Sequence, residues 1–388
     1  MSTEQRPSHS PLGASGAERW MNCVGSVALL RNLELPESDE PDYRSEGTTA
    51  HGAAYTALVN DQDGWELINQ TFGKHEVSIE MANAIQMYLD ECRRIVTENP
   101  DGQVYNEFGI DAPDFHPDFY GTLDRGYVAG VRMWIRDFKY GAGIAVDVEW
   151  NPQIMYYAYG LLRHHPEVET VDLGIVQPRA FHGDGPIRTW EVSADSIRAW
   201  AEEKLKPAML ATSLDGDLDA GPWCRFCPAK LVCPLMWSLF GAAMQTDPKQ
   251  VVNLSNESLG RSYHYLDAVK FFMKAFEEEA FRRLNTGQKI QGMKLVNKKA
   301  NRVFKPNAEQ AFAARFGQAI YNPGSLKSPA EIEKLGESAK EMVKEWAYKP
   351  DTGLTVASAE DKRPEVMVKS TEATFGEAVA ALDKPQEA

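Results

Sequence analysis

The chain has 388 residues, 43% of them hydrophobic, which is enough for two or three domain-sized units with a sizeable core. Its net charge of −15 argues against a protein that coats nucleic acid through bulk positive charge. It has no apolar run of about 18 residues, as a transmembrane helix would need, and its start lacks a signal-peptide pattern. We therefore expect a cytoplasmic protein that makes no membrane contact.

The first part of the chain predicts helices after a polar start. Residues 1–14 are polar, contain Pro, Ser and Gly, and are expected to be disordered. Helices are predicted over residues 15–30, 45–58 and 78–96, and the third has its apolar side chains on one face. Cys92 lies on that face and is predicted to act as a small buried hydrophobe.

A block rich in strands follows, in which β-branched and aromatic residues alternate with polar ones. It is bounded by Gly-containing turns, and one helix in it begins with Pro152 at its first turn. The predicted strands cover residues 103–110, 121–129, 131–140, 171–177 and 187–192, and the predicted helices cover residues 152–162 and 193–212.

The character of the chain changes after a Cys-, Pro- and Trp-rich segment at residues 221–234. One long helix is predicted at residues 253–285, a small hairpin at 290–304, and helices over 308–348, broken at prolines. The stretch from residue 349 is polar, low in aromatics and expected to be flexible. The predicted parts are a disordered N-terminus (1–14), a first domain (15–245), a mainly helical region (246–348) and a flexible tail (349–388).

Two acidic side chains and a lysine form a candidate catalytic centre. Strand alternation puts Asp137 and Lys139 on one side, and an antiparallel hairpin can bring Asp124 near Asp137. Two converging carboxylates suit Mg²⁺ or Mn²⁺, and a lysine beside them can orient water and stabilise developing negative charge. The alternative is a solvated strand edge with a local ion pair.

Four of the five cysteines form a candidate metal site. Cys224, Cys227 and Cys233 have the spacing C-x₂-C-x₅-C, and intracellular chains rarely use such clusters for disulfides. Structural zinc and an iron–sulfur cluster both take four ligands, so a fourth must come from elsewhere in the chain. Cys23 is the candidate, because Cys92 lies on a core helical face.

Three motifs together resemble the PD-(D/E)xK nuclease superfamily. They are Gly121-x-x-Asp124, Asp137-x-Lys139 and Gln153-x-x-x-Tyr157. The last is similar to a marker of the RecB-like branch, which includes the RecB and AddB nuclease domains and CRISPR-associated iron–sulfur exonucleases. The resemblance implies a restriction-endonuclease-like α/β fold, with a central mixed sheet flanked by helices and a helical C-terminal extension. It makes residues 15–245 the nuclease domain.

The resemblance also implies roles for individual residues. His51, on an early helix, would complete a metal site with Asp124 and Asp137. Lys139 would position or activate water, and Gln153 and Tyr157 would hold the DNA strand and the lysine. Glu107 occupies a place where the family often has an acidic residue, although a surface glutamate is equally natural there.

The four cysteines resemble the iron–sulfur staple of the same branch, in which one N-terminal cysteine joins three that follow the nuclease core. This implies a [4Fe–4S] cluster on Cys23, Cys224, Cys227 and Cys233, with zinc as the second candidate occupant.

The function implied is a metal-dependent DNA exonuclease acting in phage or prophage recombination or DNA processing, inside a bacterial host. Its partners would be single-stranded or duplex DNA ends, with a phage recombinase or single-strand-binding protein as a further candidate. Arg125, Arg132 and Arg136 are candidates for a local basic groove. The alternative is a non-catalytic module that binds DNA ends or a recombination partner on a nuclease fold with a structural metal cluster.

Overall fold

The computed structural model describes residue 7 and residues 9–31, 42–212, 216–245, 255–322 and 325–367. The chain divides into two compact units, Met1–Phe272 and Met273–Ala388. The domain boundary predicted after residue 245 adjoins residues 246–254, which lie outside the described residues.

A mixed five-stranded sheet forms the centre of the first unit, with strand order β3-β4-β5-β6-β7. The pairs β3–β4, β4–β5 and β6–β7 are antiparallel, and β5–β6 is parallel because α5 connects those two strands. A small antiparallel pair, β1–β2, precedes it. The strands are β1 Thr71–Phe72, β2 His75–Glu76, β3 Gln103–Asp111, β4 Tyr120–Ala129, β5 Arg132–Phe138, β6 Thr170–Val176 and β7 Ile187–Ser193.

Helices cover both faces of this sheet, which places it in the mixed α/β class and is consistent with the expected restriction-endonuclease-like fold. The helices that pack on the sheet are among α1 Ala17–Asn22, α2 Gly25–Arg31, α3 Asp42–Asn60, α4 Ile79–Glu98, α5 Pro152–Leu162, α6 Ala194–Trp200 and α7 Lys206–Ala211. They are followed by α8 Pro234–Gln245, α9 Asn256–His264 and α10 Leu266–Asn285, which crosses the boundary between the two units. A π-helical turn, Ala201–Leu205, joins α6 to α7, and short 3₁₀ turns lie at Gly64–Leu67 and Pro222–Phe226.

Strand alternation sends the side chains of β5 into separate cores. Met133 and Ile135 pack with α5 and α6 in one core, whereas Phe138 packs with α3 and α4 in the other. α5 is buried on all sides from Ile154 to Leu162, which explains why its sequence is apolar throughout. The central strands and the buried helix α5 therefore form a rigid frame around the ends of β4 and β5, where the candidate site lies.

A buried arginine ties the sheet to α4. Arg136 is 1% exposed, and its Nε donates to Glu91 Oε1 at 2.8 Å while its Nη1 donates to Asp172 Oδ1 at 3.0 Å. A Cβ at Gly174 would lie 2.6 Å from Arg136 Cδ, so only glycine leaves room for this side chain. Burial of the guanidinium is possible because both carboxylates compensate its charge.

The second unit combines helices with short antiparallel strand pairs. β8 pairs with β13, β9 with β12, and β10 with β11, around a core that includes Phe312, Ile332 and Val343. Its elements are β8 Met293–Asn297, β9 Val303–Phe304, α11 Ala308–Phe316, β10 Tyr321–Asn322, β11 Ser325–Leu326, α12 Pro329–Ile332, α13 Glu337–Trp346, β12 Ala347–Tyr348 and β13 Leu354–Ser358.

Several expectations from the sequence are corrected in the first unit. The predicted helix 15–30 is two helices, because the chain leaves helical geometry at Cys23. Residues 9–14 are not disordered: Leu12 is fully buried, and Ser10 Oγ donates to Asp118 O at 2.5 Å. One apolar side chain anchors a segment whose composition is otherwise polar. Residues 1–6 and 8 lie outside the described residues.

Corrections also apply further along the chain. The helix predicted at 253–285 is interrupted at Tyr265, and its first residues, 253 and 254, lie outside the described residues. Residues 290–304 do not form a hairpin, because β8 and β9 each pair with a later strand. Residues 354–358, expected to be flexible, form β13 because Leu354 and Val356 pair with the apolar β8. Residues 368–388 lie outside the described residues.

We expect Arg136→Ala to lower the free energy of unfolding by about 3–5 kcal/mol, because it leaves buried carboxylate charge uncompensated. Arg132→Ala is the matched control on the same strand: its side chain is 41% exposed and pairs with the exposed Glu191. The control should cost at most about 1 kcal/mol. Urea unfolding followed by circular dichroism measures both, and equal losses would contradict the structural role of Arg136.

Candidate functional site

Two buried carboxylates lie where the β4–β5 ladder ends. The last pair of this ladder is Arg125 with Arg136, and the antiparallel register carries Asp124 and Asp137 to the next opposed position. Asp137 is 2% exposed, and Asp124 is partly buried. The predicted approach of these two strand residues is therefore present in the fold.

Asp124 is fixed by one backbone and one side-chain contact. The N–H of Phe138 donates to Asp124 Oδ2 at 3.0 Å, and His51 Nδ1 lies 3.5 Å from the same oxygen. His51 belongs to α3, whose packing against the sheet includes a contact between the His51 and Phe138 rings at 5.6 Å. The early helix thus brings the predicted histidine to the predicted aspartate.

Asp137, Lys139 and Gln153 form a closed hydrogen-bonded set. Lys139 Nζ lies 3.0 Å from Asp137 Oδ2 and donates to Gln153 Oε1 at 2.8 Å, while Gln153 Nε2 donates to Asp137 Oδ1 at 3.2 Å. Gln153 is in the first turn of α5, whose start is capped by the Asn151 side chain. The cap therefore helps to set the position of the amide that holds the lysine.

Tyr157 lies one turn after Gln153 and is 8% exposed. Burial raises its pKa, and the nearby negative charges of Asp124 and Asp137 raise it further. A Cβ at Gly121 would lie 3.7 Å from the Tyr157 ring, so this glycine lies against the tyrosine. All six residues predicted for the catalytic and metal roles, namely His51, Asp124, Asp137, Lys139, Gln153 and Tyr157, therefore belong to one neighbourhood.

Glu107 joins this group, although its sequence context had made it only a secondary candidate. It stands opposite Asp124 in the β3–β4 register, but the ladder passes from the pair Asn106–Arg125 directly to the pair Phe108–Leu123. Its φ of 43° lies in the left-handed region, which is unusual for a non-glycine residue and is found mainly where function or strain requires it. No sequence pattern predicts this backbone conformation.

Ligand atoms of His51, Glu107 and Asp124 all lie within 4.8 Å of one another. One imidazole nitrogen and two carboxylate oxygens are donors that Mg²⁺ or Mn²⁺ can use. Asp137 Oδ2 is also buried and accepts no hydrogen bond of good geometry from the described residues. A buried carboxylate oxygen whose ion-pair partner among the described residues is the Lys139 ammonium, beside three clustered ligand atoms, fits a divalent cation at this place.

The charges of the site are strongly coupled. Burial raises the pKa of Asp124, but His51, Lys139 and the Phe138 N–H outweigh burial and hold that pKa below its usual range. Burial, reinforced by Asp124, raises the pKa of Asp137 despite the nearby Lys139. Burial lowers the pKa of His51, but the charge and hydrogen bond of Asp124 together with the charge of Asp137 outweigh burial and raise that pKa above its usual value. The site thus holds excess negative charge, which a cation would neutralise.

A basic groove built from the β-hairpin arginines is not supported. Arg136 is buried in the ion pairs described above, and Arg125 is 7% exposed and donates to Asn106. Arg132 is more exposed but pairs with Glu191. These side chains are occupied within the fold, because guanidinium groups on a central strand must find carboxylates or amides as they are buried.

The four predicted cluster cysteines line one pocket, which is partly open to solvent. Cys23, Cys224 and Cys227 are buried, and Cys233 is partly buried. The N–H of Asp219 donates to Cys23 Sγ at 3.3 Å. Cys92 is instead buried in the core beneath α4, as predicted, and burial raises its pKa to about 11.

A close backbone contact brings Cys23 to the other three cysteines. The N–H of Gly25 donates to Asp217 O at 3.2 Å, and a Cβ at Gly25 would lie 2.3 Å from Gly216 O. Only glycine permits this approach between the start of α2 and the segment that leads to Cys224. A glycine two residues after a candidate cysteine ligand is the available sequence signal.

Comparisons with known proteins give a family and two distant structural similarities. A family model described as "Protein of unknown function (DUF2800)" matches residues 9–364. The chain is similar to the crystal structure of a protein named as a putative exonuclease from Eubacterium rectale, with 14% identity, a TM-score of 0.31, and 55% of this chain and 84% of that chain covered.

The crystal structure of SSO0001 matches with 13% identity and a TM-score of 0.21, covering 56% of this chain and 96% of that chain. TM-scores this low do not establish a shared fold. In the part of the chain that the structure describes, no helix has the length and apolar character needed to cross a membrane.

We expect Glu107→Gln to weaken Mn²⁺ binding by about tenfold or more, because it replaces a carboxylate ligand with a neutral amide. Glu149→Gln is the control, since Glu149 is exposed and outside the ligand group. Isothermal titration calorimetry measures both affinities. Unchanged Mn²⁺ affinity in the Glu107 variant would remove this residue from the site.

Proposed function

The chain belongs to the family DUF2800, and we propose that it is a divalent-metal-dependent deoxyribonuclease that hydrolyses phosphodiester bonds from DNA ends. The observation that carries the proposal is the cluster of His51, Glu107 and Asp124 ligand atoms beside the Asp137–Lys139–Gln153 set. This combination places cation ligands and one ammonium group at the same end of the β4–β5 strand pair.

The reaction joins a water oxygen to phosphorus and breaks the bond from phosphorus to the leaving oxygen, which takes up a proton. A divalent cation held by His51, Glu107, Asp124 and Asp137 would supply Lewis acidity and neutralise charge. Lys139 would donate a hydrogen bond to the water or to a phosphoryl oxygen. Its contact with Gln153 Oε1 fixes the direction of the ammonium group.

Gln153 is a positioning residue in this mechanism. Its amide accepts from Lys139 and donates to Asp137, so it holds both groups at once. Tyr157 lies behind it on the same helical face, where it would support the Gln153 side chain and limit access of bulk water. We assign DNA contact to this end of α5, in line with the resemblance to RecB-like nucleases.

Action on DNA ends, and a place in phage or prophage recombination or DNA processing, also follow from that resemblance. The proposed substrates are single-stranded or duplex ends, and a phage recombinase or single-strand-binding protein would be a suitable partner. The net charge of −15 is compatible with this assignment, because carboxylates that hold cations contribute to it.

We also propose that Cys23, Cys224, Cys227 and Cys233 hold a [4Fe–4S] cluster. A tetrahedral zinc site with Zn–S bonds of about 2.3 Å would put the sulfurs roughly 3.8 Å apart. Among the described residues, His51, Glu107 and Asp124 form the group of three ligand atoms within 4.8 Å, and the cysteines form none. All four cysteines line one pocket, so together they could hold one metal group, and the choice of [4Fe–4S] over zinc follows from the resemblance to iron–sulfur nucleases.

The cluster would fasten the N-terminal helices to the segment that follows the sheet. Cys23 and Cys224 are about two hundred residues apart, and closing a loop of this length removes much entropy from the unfolded chain. Arg19, Asp219 and Trp223 line the same pocket as the cysteines, and the carboxylate–lysine site is a separate group of side chains. The role of the cluster would therefore be structural.

We expect Lys139→Ala and Asp137→Asn each to lower Mn²⁺-dependent cleavage of end-labelled DNA by about a thousandfold, through loss of charge stabilisation at phosphorus. Lys204→Ala is the control, because Lys204 is exposed on the π-helical turn. An anaerobic assay with single-stranded and duplex substrates measures the rates. Full activity in both site variants would contradict the mechanism.

We expect Cys23→Ser to remove bound iron, visible absorption and thermal stability together, since the fourth ligand is lost. Cys92→Ala tests whether any buried cysteine has this effect, and it should retain iron because Cys92 packs in a separate core. Metal analysis and absorption spectroscopy of anaerobically purified protein give the result. A colourless wild-type protein loaded with zinc would refute the iron–sulfur assignment.

A further inference from the structure

Charge is distributed unevenly along the chain. Residues 1–272 contain 22 Lys and Arg against 39 Asp and Glu, whereas residues 273–388 contain 19 against 17. Between Glu279 and Glu309 there are eight basic residues and no acidic one. The second unit is therefore the part of this acidic protein in which positive charge is locally in excess.

Two strand pairs gather that positive charge in one place. β9 pairs with β12 through Val303–Tyr348 and Phe304–Ala347, and the N–H of Lys298 donates to Gly353 O at 2.8 Å. Residues 297–305 therefore run alongside residues 346–354. We name this double segment the basic ribbon, and its lysines are Lys298, Lys299, Lys305 and Lys349.

These four lysines are exposed, and none forms an ion pair with a described residue. Other charges of the unit are used internally: Arg302 pairs with Glu333, and Lys294 Nζ donates to Asp361 O at 2.7 Å. Asp351 is the acidic residue within the ribbon, and its carboxylate accepts from the Gly353 N–H. The ribbon keeps a clear positive excess.

Exposed apolar surface lies at the centre of the ribbon. Tyr348 is 49% exposed, and its cross-strand partner Val303 is 40% exposed. An aromatic ring bordered by unpaired lysines suits a strand of nucleic acid, because bases stack on the ring while phosphates meet the ammonium groups. Duplex DNA would not expose a base face to Tyr348.

We propose that the basic ribbon binds single-stranded DNA through its phosphates, with one base stacked on Tyr348. The proposal does not depend on the catalytic assignment, since every residue in it belongs to the second unit. Positive charge alone is common on protein surfaces, and residues 331–345 illustrate this: Lys334, Lys340 and Lys344 alternate there with five glutamates. The ribbon differs in having unneutralised lysines around an exposed aromatic.

The test is fluorescence anisotropy of a labelled oligothymidylate about 16 nucleotides long, bound to the full chain in EDTA so that no cleavage occurs. The triple variant K298Q/K299Q/K305Q should lower the salt dependence of log affinity by about 2, and affinity by roughly tenfold to a hundredfold at 0.1 M salt. Y348A should weaken binding by roughly tenfold. Circular dichroism melting of each variant verifies its fold.

The matched control is K334Q/K340Q/K344Q, which removes the same charge from the same unit and should bind like wild type. Equal losses in both triple variants would overturn the proposal, because binding would then follow net charge. So would unchanged affinity of Y348A, or preference for duplex over single strands. Because EDTA excludes cleavage, a failed nuclease assay and a failed binding assay are separate results.

Discussion

Asp124 and Asp137 are acidic side chains buried at opposed positions of neighbouring strands, and the surrounding residues compensate the cost of that burial. His51 and the Phe138 N–H contact the carboxylate of Asp124, and Lys139 and Gln153 contact the carboxylate of Asp137. Compensation is incomplete, since burial and Asp124 together raise the pKa of Asp137 and one of its oxygens lacks a hydrogen bond. A bound divalent cation would complete this compensation. The need to compensate buried negative charge therefore accounts for His51 and Lys139, and the left-handed Glu107 would supply a further ligand to the cation.

The frame that holds this site depends on burial and on close backbone approach. Arg136 joins β5 to α4 within the sheet, and α5 carries Gln153 on a helix that is buried on all sides. The contact between Gly25 and residues 216–217 brings Cys23 to the pocket that it lines with Cys224, Cys227 and Cys233. A cluster there would stabilise the contact between segments that are distant in the sequence.

Much of the fold could be predicted because the apolar pattern is strong. The five strands of the sheet and the helix 152–162 follow from alternation, Gly-containing turns and Pro152. The position of Glu107 could not be predicted, because its left-handed φ has no sequence signature. The pairing of β8 with β13 was also missed, since contacts between distant segments leave no local pattern. The burial of Arg125 and Arg136 could not be predicted either, because sequence alone does not distinguish a buried guanidinium from an exposed one.

The measurement that tests the central claim most directly is anomalous diffraction from crystals of the protein soaked in Mn²⁺. We predict a manganese peak within bonding distance, about 2.2 Å, of donor atoms from His51, Glu107 and Asp124, with Asp137 beside it. The proposed cation site would be contradicted if no peak appeared beside these residues under conditions that support Mn²⁺ binding in solution. A peak elsewhere in the first unit would also contradict it.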